Sequence, residues 1–196
     1  VSPAVLVPRP ETETLVECAL ERLPAERPFA VVDLGTGSGA IALAIASERP
    51  LARVLATDAS PDALAVARGN ATRLGLANAA FAQGDWYEAL PADAGPFDLV
   101  ASNPPYIVAG DPHLGKGDLR FEPACALSPG GDGLDALRAI VAGAPARLAA
   151  GGWLMVEHGY DQADAVRALF AEAGFEAIES RRDLAGIPRI VLGRLG

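Results

Sequence analysis

Residues 29–39 read Phe29-Ala-Val-Val-Asp-Leu-Gly-Thr-Gly-Ser-Gly39, and this stretch decides the fold. Its first half is a short apolar run, which is typical of a strand buried on both faces of a parallel sheet. Its second half carries glycine at every other position, and glycine lets the backbone turn sharply and approach a ligand closely. A helix is predicted directly afterwards, from Gly39 to Glu48. The stretch therefore predicts the strand–turn–helix unit on which open α/β sheets bind ligands.

The same alternation of strands and helices continues along the chain. Further strands are predicted at Arg53–Asp58, Ala79–Asp85, Phe97–Asn103 and Gly152–Gly159, and helices at Thr12–Leu23, Ser60–Leu74, Leu134–Ala149 and Asp161–Ala173. Two last extended runs, Phe175–Asp183 and Arg189–Leu195, predict an antiparallel hairpin. We therefore expect one domain over residues 1–196, with 1–28 as a lead-in segment and helix. Its fold class is α/β, a doubly wound, mostly parallel seven-stranded Rossmann-like sheet with a C-terminal antiparallel hairpin.

Length, composition and charge exclude several classes of protein. The chain has 196 residues, of which 51% are hydrophobic, so it can bury the core of one globular domain. Its formal net charge of −9 opposes a general duplex-DNA binder, because binding to phosphates needs a basic surface. We see neither a membrane-spanning apolar run nor a secretory signal, so we expect a cytoplasmic protein without a membrane partner. The cysteines and histidines lack metal-ligand spacing, so we expect no metal site.

A candidate cofactor site is predicted at the carboxyl ends of the first three strands. The turn Gly35-Thr36-Gly37-Ser38-Gly39 allows close packing of a ligand on its backbone. Asp58 follows ~20 residues later, where a carboxylate can accept hydrogen bonds from both hydroxyls of an adenosyl ribose. Asp85 can accept from an adenine amino group, and the Trp86 indole offers an apolar surface for the ring. These residues indicate an adenosine-containing cofactor, but do not separate S-adenosylmethionine from a nicotinamide dinucleotide.

The candidate reacting site is Asn103-Pro104-Pro105-Tyr106, which follows the fourth strand. An amide or amino nitrogen is a weak nucleophile, so its methylation requires acceptors that hold its N–H groups and direct its lone pair. The Asn103 side-chain oxygen and the Pro104 carbonyl can be those acceptors. Tyr106 offers an aromatic face to a planar substrate group and to a cationic methyl donor. The long connection that follows, Ile107–Gly131, is also a candidate functional loop.

Six segments of the chain occur together in one known family. They are Pro8-Arg-Pro-Glu-Thr-Glu13, Asp33-Leu-Gly-Thr-Gly-Ser-Gly39, Asn103-Pro-Pro-Tyr-Ile107, Phe121-Glu-Pro123, Glu157-His-Gly159 and Asp183-Leu-Ala-Gly186. With these segments the chain resembles the bacterial peptide chain release factor glutamine methyltransferases, from about Val5 to Arg194. Asn-Pro-Pro-Tyr alone is shared with adenine-N6 methyltransferases of DNA and RNA, whereas the whole combination is more specific.

The resemblance implies a reaction and a role for several residues. It implies S-adenosylmethionine as the cofactor, contacted by Gly35 to Gly39, Asp58, Trp86 and Asn103. It implies peptide chain release factors as the protein substrate, with Asn103 to Tyr106 holding the glutamine of a Gly-Gly-Gln motif for methylation at N5. Members of the family also carry a small N-terminal helical domain that binds the release factor, and we expect this chain to lack it. No direct contact with nucleic acid is expected.

Three alternatives stay open on the residues alone. An adenine-N6 methyltransferase of DNA or RNA accommodates Asn103-Pro-Pro-Tyr106 but predicts a basic face. A nicotinamide-dependent oxidoreductase accommodates the glycines and Asp58 but gives no reason for that tetrapeptide. A non-catalytic binding module of the same fold would not need both Asp58 and Asn103. The sequence leaves undecided the roles of Arg9, Glu122 and His158.

Overall fold

The computed structural model describes residues 4–107 and 131–196, and in these ranges strands and helices alternate. The strands are β1 (Ala30–Leu34), β2 (Arg53–Asp58), β3 (Ala79–Gln83), β4 (Phe97–Ser102), β5 (Leu148–Glu157), β6 (Phe175–Arg182) and β7 (Pro188–Leu195). The α-helices are α1 (Pro10–Arg22), α2 (Ala40–Glu48), α3 (Pro61–Leu74), α4 (Asp135–Gly143) and α5 (Ala163–Glu172). Short 3₁₀ turns lie at Trp86–Ala89 and Ala144–Ala146.

The strands form one seven-stranded sheet in the order β3-β2-β1-β4-β5-β7-β6. Strands β1 to β5 run parallel to one another, whereas β7 lies antiparallel to both β5 and β6. The predicted mostly parallel sheet and its C-terminal antiparallel hairpin are confirmed. The strand order reverses at the neighbours β1 and β4, and open α/β sheets bind ligands outside the carboxyl ends of such strands.

Helices cover both faces of the sheet and bury one hydrophobic cluster on each. Val31 and Val32 of β1 belong to opposite clusters, because successive side chains of a strand point to opposite faces. On one face α1 and α2 pack against the strands through Leu15, Ile41, Ile45, Leu99 and Met155. On the other face α4 and α5 pack through Leu137, Ile140, Phe170, Val100 and Val156. Burial on both faces explains why the central strands read as continuous apolar runs.

The predicted helix Leu134–Ala149 is wrong in its second half. Helix α4 ends at Gly143, a 3₁₀ turn containing Pro145 follows, and β5 already begins at Leu148. Proline has no backbone N–H and clashes with the preceding turn, so the α-helix does not continue through it. Leu148 is buried as predicted, but it pairs with Phe97 in the sheet and does not face inward from a helix. The sheet register shifts after this pair, so the residues before Trp153 form an irregular start of β5.

Most other boundaries agree with the prediction within two residues. Helix α3 begins as predicted, with the Ser60 hydroxyl accepting from Ala63 N at 3.2 Å and Pro61 in the first turn. No helix within residues 4–107 or 131–196 is long and apolar enough to cross a membrane. Residues 108–130 lie outside the described residues, with most of the predicted loop, Phe121-Glu-Pro123 and Glu122.

Candidate active site

The turn between β1 and α2 forms one wall of a cleft at the carboxyl edge of the sheet. Gly35 and Gly37 have φ angles of +70° and +56°, which other residues adopt at a cost. A Cβ atom on Gly35 would lie 3.3 Å from the Trp86 ring, which leaves little space for one. Apart from Gly37 and its two chain neighbours, no described residue has an atom within 4 Å of the position of a Cβ on Gly37. The backbone at Gly37 is therefore open to a ligand in the cleft.

Asp58 at the end of β2 holds this turn in place. Its Oδ2 accepts a hydrogen bond from Gly37 N at 2.8 Å, and its Oδ1 accepts one from Ser60 N at 2.9 Å. The carboxylate is thus fixed between the glycine turn and the start of α3, and it still lines the cleft. An ionised carboxylate has about four acceptor positions, so Asp58 retains the capacity to bind ligand hydroxyls.

Trp86 forms a second wall of the cleft beside the glycine turn. Its φ angle is +41°, which is unusual for a bulky residue, and it begins the 3₁₀ turn after β3. Gly84 packs tightly behind this turn, since a Cβ there would lie 2.7 Å from the Ala89 Cα. The Tyr87 hydroxyl donates to the Ile140 carbonyl at 2.7 Å and ties the turn to α4. These contacts fix the position of the Trp86 ring.

The cleft has a volume of about 410 Å³, which is within the usual range for small-molecule sites. Nine of the twelve predicted site residues line it, namely Gly35, Thr36, Gly37, Ser38, Asp58, Asp85, Trp86, Asn103 and Pro105. Its remaining lining includes residues at the N-terminal end of the described chain, namely Ala4, Val5, Leu6, Pro8 and Thr12. The three predicted residues outside that lining are Gly39, Pro104 and Tyr106. Gly39 packs instead against Leu43 of α2, where a Cβ would lie 2.9 Å from the leucine side chain.

Asn103 connects the cleft to a network of buried side chains. Its Nδ2 donates to Thr12 Oγ1 at 3.1 Å, and Thr12 Oγ1 donates to Glu157 Oε2 at 2.7 Å. The Tyr106 hydroxyl donates to the other carboxylate oxygen, Glu157 Oε1, at 3.2 Å. Burial raises the pKa of Glu157, although the hydrogen bonds from Thr12 and Tyr106 lower it in part. The network joins α1, the Asn103–Tyr106 segment and the end of β5.

Asp33, the last but one residue of β1, is buried beneath the glycine turn. Its Oδ2 accepts from Thr36 Oγ1 at 2.6 Å and from Ala42 N at 3.2 Å. Its Oδ1 has no hydrogen-bond partner among the described residues. Burial raises the pKa of Asp33 to about 7, although the bonds from Thr36 and Ala42 act in the opposite direction. The carboxyl group therefore changes its protonation close to neutral pH.

Comparison with known proteins identifies the family. A family profile described as a methyltransferase domain matches residues 26–175. A release factor glutamine methyltransferase of Xylella fastidiosa is 59% identical over 194 residues, which cover 99% of this chain and 70% of that protein. This chain belongs to the release factor glutamine methyltransferase family.

Solved structures agree with this family assignment. The protein-(glutamine-N5) methyltransferase of Alicyclobacillus acidocaldarius is 32% identical, with a TM-score of 0.60, and the match covers 100% of this chain and 98% of that chain. A 16S rRNA methyltransferase of T. thermophilus, solved in complex with AdoMet and guanosine, is 23% identical with a TM-score of 0.71. That match covers 97% of this chain and 44% of that chain, and it shows a shared fold.

Thr12 and Glu157 belong to the hydrogen-bond network around Asn103, and the sequence did not predict this. Both lie in segments that carry the resemblance to the release factor glutamine methyltransferases, Pro8–Glu13 and Glu157–Gly159. Nothing in the local spacing shows that these segments meet, because 145 positions separate the two residues. The one available signal was Glu157 itself, because a charged residue at the end of an apolar strand needs a partner when it is buried.

Gln162 is a third missed residue, and it lies in the turn after β5. Its Oε1 accepts from Gly159 N at 2.9 Å, and its Nε2 donates to the Tyr106 carbonyl at 3.0 Å. The same Nε2 lies 3.5 Å from the Gly133 carbonyl oxygen. Gln162 therefore fixes the end of the Asn103–Tyr106 segment in this member of the family.

His158 and Arg9 have positions that give them structural contacts. The His158 Nδ1 lies 2.7 Å from the Gly159 carbonyl oxygen, and burial lowers the pKa of the ring. The Arg9 carbonyl accepts from Thr12 N at 3.1 Å at the start of α1. Within the described parts of the chain, no group of three or more residues is arranged to hold a metal ion.

Proposed function

We propose that this protein transfers a methyl group from S-adenosylmethionine to the side-chain nitrogen, N5, of the glutamine in the Gly-Gly-Gln motif of a peptide chain release factor. The observation that carries the proposal is the 59% identity over 99% of the chain with a release factor glutamine methyltransferase. The geometry supports it, because Asn103 lines the same cleft as Asp58 and Trp86. One cleft can therefore accommodate the cofactor and the reacting nitrogen together.

The residues of the cleft fit S-adenosylmethionine. Asp58 offers carboxylate oxygens to the ribose hydroxyls, Asp85 offers an acceptor to the adenine amino group, and the Trp86 ring offers an apolar surface to the adenine. The open backbone at Gly37 allows close approach of the ligand. When bound, S-adenosylmethionine supplies an electrophilic methyl group, and the electron pair of the broken carbon–sulfur bond stays on sulfur.

The residues of this chain then hold and orient the nucleophile. Asn103 Oδ1 accepts one N–H of the substrate amide, and the Pro104 carbonyl accepts the other. The lone pair of the amide nitrogen is thereby directed into the cleft, which lowers the entropy loss of reaching the reactive geometry. Once the nitrogen carries its methyl group, it releases one proton to water and the amide is neutral again. Catalysis on the protein side is therefore mainly orientation and electrostatics, with no covalent enzyme intermediate.

A release factor as substrate has consequences for where the protein acts. We infer that it acts in the cytoplasm and does not contact nucleic acid or a membrane directly. The net charge of −9 supports the absence of direct nucleic-acid contact, because a nucleic-acid-binding face is normally basic.

The experiment that tests the proposal follows the methyl group. The protein is incubated with isotopically labelled S-adenosylmethionine and an intact release factor, and peptide mass spectrometry locates the label. The matched control is the same release factor with alanine in place of the glutamine of its Gly-Gly-Gln motif. We expect one labelled methyl group on that glutamine and none in the control. Label that enters DNA or RNA and leaves the release factor unlabelled would overturn the proposal in favour of adenine methylation.

A further inference from the structure

Two buried residues, Thr12 in the lining of the cleft and Glu157 behind it, are linked to Asn103 by hydrogen bonds. We propose that Thr12 and Glu157 are positioning residues that fix which end of the Asn103 side-chain amide faces the substrate. The proposal rests on the proposed function, because it concerns the oxygen atom that holds the substrate amide. The proposal assigns a role to two of the segments that carry the family resemblance, Pro8–Glu13 and Glu157–Gly159.

The Asn103 amide must point in one direction to act as an acceptor. Its oxygen can accept an N–H of the substrate, whereas its NH₂ group can only donate. The two ends have nearly the same size and shape, so packing alone does not distinguish them. Asn103 therefore needs, on its side away from the substrate, a hydrogen-bond partner that can only accept.

Glu157 sets the polarity of the whole network. In its ionised form a carboxylate only accepts hydrogen bonds, so the Thr12 hydroxyl must donate its single hydrogen to Glu157 Oε2, 2.7 Å away. The Thr12 oxygen can then only accept, and it accepts from Asn103 Nδ2 at 3.1 Å. The opposite orientation would place two oxygen atoms together without a hydrogen between them. Asn103 Oδ1 is thereby left for the substrate amide.

Tyr106 holds the carboxylate from its other side. Its hydroxyl donates to Glu157 Oε1 at 3.2 Å, and burial together with the charge of Glu157 raises the pKa of Tyr106, which keeps the hydroxyl protonated. Thr12 and Glu157 are 7% and 1% exposed, so water competes little for these bonds. A buried carboxylate is costly for stability, and a role in fixing Asn103 explains why one is present here.

The charges around Glu157 determine the pH range in which this control operates. Burial and the nearby Glu11 of α1 raise the pKa of Glu157, whereas Thr12, Tyr106 and the charge of Arg189 on β7 lower it, with a net rise. As the pH falls through this raised pKa, Glu157 gains a proton and can donate. The Thr12 hydroxyl can then accept from Glu157 and does not have to donate to it. The Asn103 amide is therefore no longer fixed in one orientation.

Three substitutions on α1 test the proposal at neutral pH. Thr12→Val removes the hydroxyl and keeps the shape, and we expect kcat to fall by about 10- to 100-fold, the loss typical of one hydrogen bond to a charged group. The KM of the release factor should change by less than about 3-fold, because remote contacts dominate the binding of a large substrate. Thr12→Ser retains the hydroxyl and should keep kcat within about 3-fold of wild type. Thr14→Val, on another face of the same helix, is the control and should leave kcat unchanged.

Glu157→Gln tests the same idea by a different route. It keeps the shape of the side chain but can both donate and accept, so the network loses its fixed polarity. We expect a lower kcat. We also expect the kcat of wild type to fall at acid pH as Glu157 gains a proton, and this fall to be absent from Glu157→Gln. This variant also decides the question if Thr12→Val fails to fold.

The possible results separate this proposal from the proposed function. If wild type does not methylate the release factor, the proposed function is wrong. If wild type is active but Thr12→Val has a normal kcat, the positioning role is wrong. Equal losses in Thr12→Ser and Thr12→Val would overturn it as well, because shape and not the hydroxyl would then matter. If kcat of Glu157→Gln falls at acid pH in the same way as kcat of wild type, the role of Glu157 is wrong.

Discussion

Two buried carboxylates, Asp33 and Glu157, lie near the two halves of the proposed site and obtain their partners in different ways. We call Gly35–Gly39, Asp58, Asp85 and Trp86 the cofactor half, and Asn103–Tyr106 the substrate half. Asp33 accepts hydrogen bonds from Thr36 and Ala42, which are 3 and 9 positions away. Glu157 accepts from Thr12 and Tyr106, which are 145 and 51 positions away. The partners of Asp33 therefore come from one continuous strand, turn and helix, to which Asp58, Asp85 and Trp86 are added from the ends of β2 and β3. The substrate half exists only once distant segments have packed together.

The largest expected effect concerns the charge of Asp33 beneath the cofactor half. Its pKa is raised from 3.8 to about 7, so between these values the folded protein holds a proton that the unfolded chain has released. The stability that this proton provides is full below about pH 4 and is lost as the pH rises to about 7, by up to about 4 kcal/mol. Asp33→Asn should remove this part of the slope of unfolding free energy against pH.

Urea unfolding at several pH values between about 5 and 8 measures that slope. Asp93→Asn replaces an exposed aspartate and is the control, which should keep the wild-type slope. Equal slopes in wild type and Asp33→Asn would mean that Asp33 is already ionised at acid pH, and the contrast between the two carboxylates would weaken.

The next effect tests the substrate half through Asn103→Ala. The variant lacks one acceptor for the substrate amide, and a displacement of about 1 Å at a reacting group can cost about 10²-fold in rate. We expect kcat to fall by about 10²-fold or more, with the melting temperature little changed and cofactor affinity reduced less than kcat. Turnover, calorimetry and thermal unfolding on one preparation separate these quantities. Near-normal turnover by the folded variant would show that the acceptor site lies elsewhere.

A smaller effect, on binding, is expected for Asp58→Ala in the cofactor half. Removing a charged hydrogen-bond acceptor should weaken S-adenosylmethionine by about 1.5–3 kcal/mol, or about 10- to 100-fold. At saturating cofactor, kcat should fall less than affinity, which is the reverse of the pattern expected for Asn103→Ala. Calorimetry with S-adenosylmethionine, and with NADH as a comparison ligand, provides the measurement. An unchanged dissociation constant would remove Asp58 from the cofactor site, and tighter binding of NADH would favour a nicotinamide cofactor.

The smallest effect distinguishes a ligand-binding turn from an ordinary one. Gly37→Ala places a side chain at a φ of +56°, which costs roughly 1–2 kcal/mol of stability, and its Cβ enters open space in the cleft. Gly75→Ala is a closely matched control, because Gly75 has a φ of +68° with open space around it and ends α3 outside the cleft lining. Both should lose similar stability, but only Gly37→Ala should also lose cofactor affinity, by about 10-fold. Equal affinities would indicate a structural turn.

The sheet was predictable because its strands are short apolar runs between clear turn and capping signals. Residues such as Ser60 and Pro61 mark a helix start by local chemistry alone. The error in Leu134–Ala149 has a local cause as well, because the apolar spacing continues past Pro145 into β5. Periodicity of apolar residues cannot distinguish a helix face from the first buried residue of a strand such as Leu148.

The two halves of the site differ in how far the sequence reveals them. Gly35 and Gly37 are readable because they lie in one turn, and Asp58 is readable because it ends the next strand, where the fold places it beside that turn. Thr12 and Glu157 form a hydrogen bond that exists only when α1 packs against the sheet. A helix residue and a strand residue carry no local sign of such a contact, so the sequence predicted Asn103 as a site residue but did not predict its buried hydrogen-bond partners.

Gln162 has a consequence for how this protein can change over evolution. The chain leaves the Asn103–Tyr106 segment at Tyr106 and enters the region of α4 at Gly133, and the Gln162 amide holds these two points together. When both ends of a connection are pinned, a change in its length alters the closure entropy only slowly. A change in the length of this connection is therefore expected to cost little in closure entropy as long as Gln162 is retained.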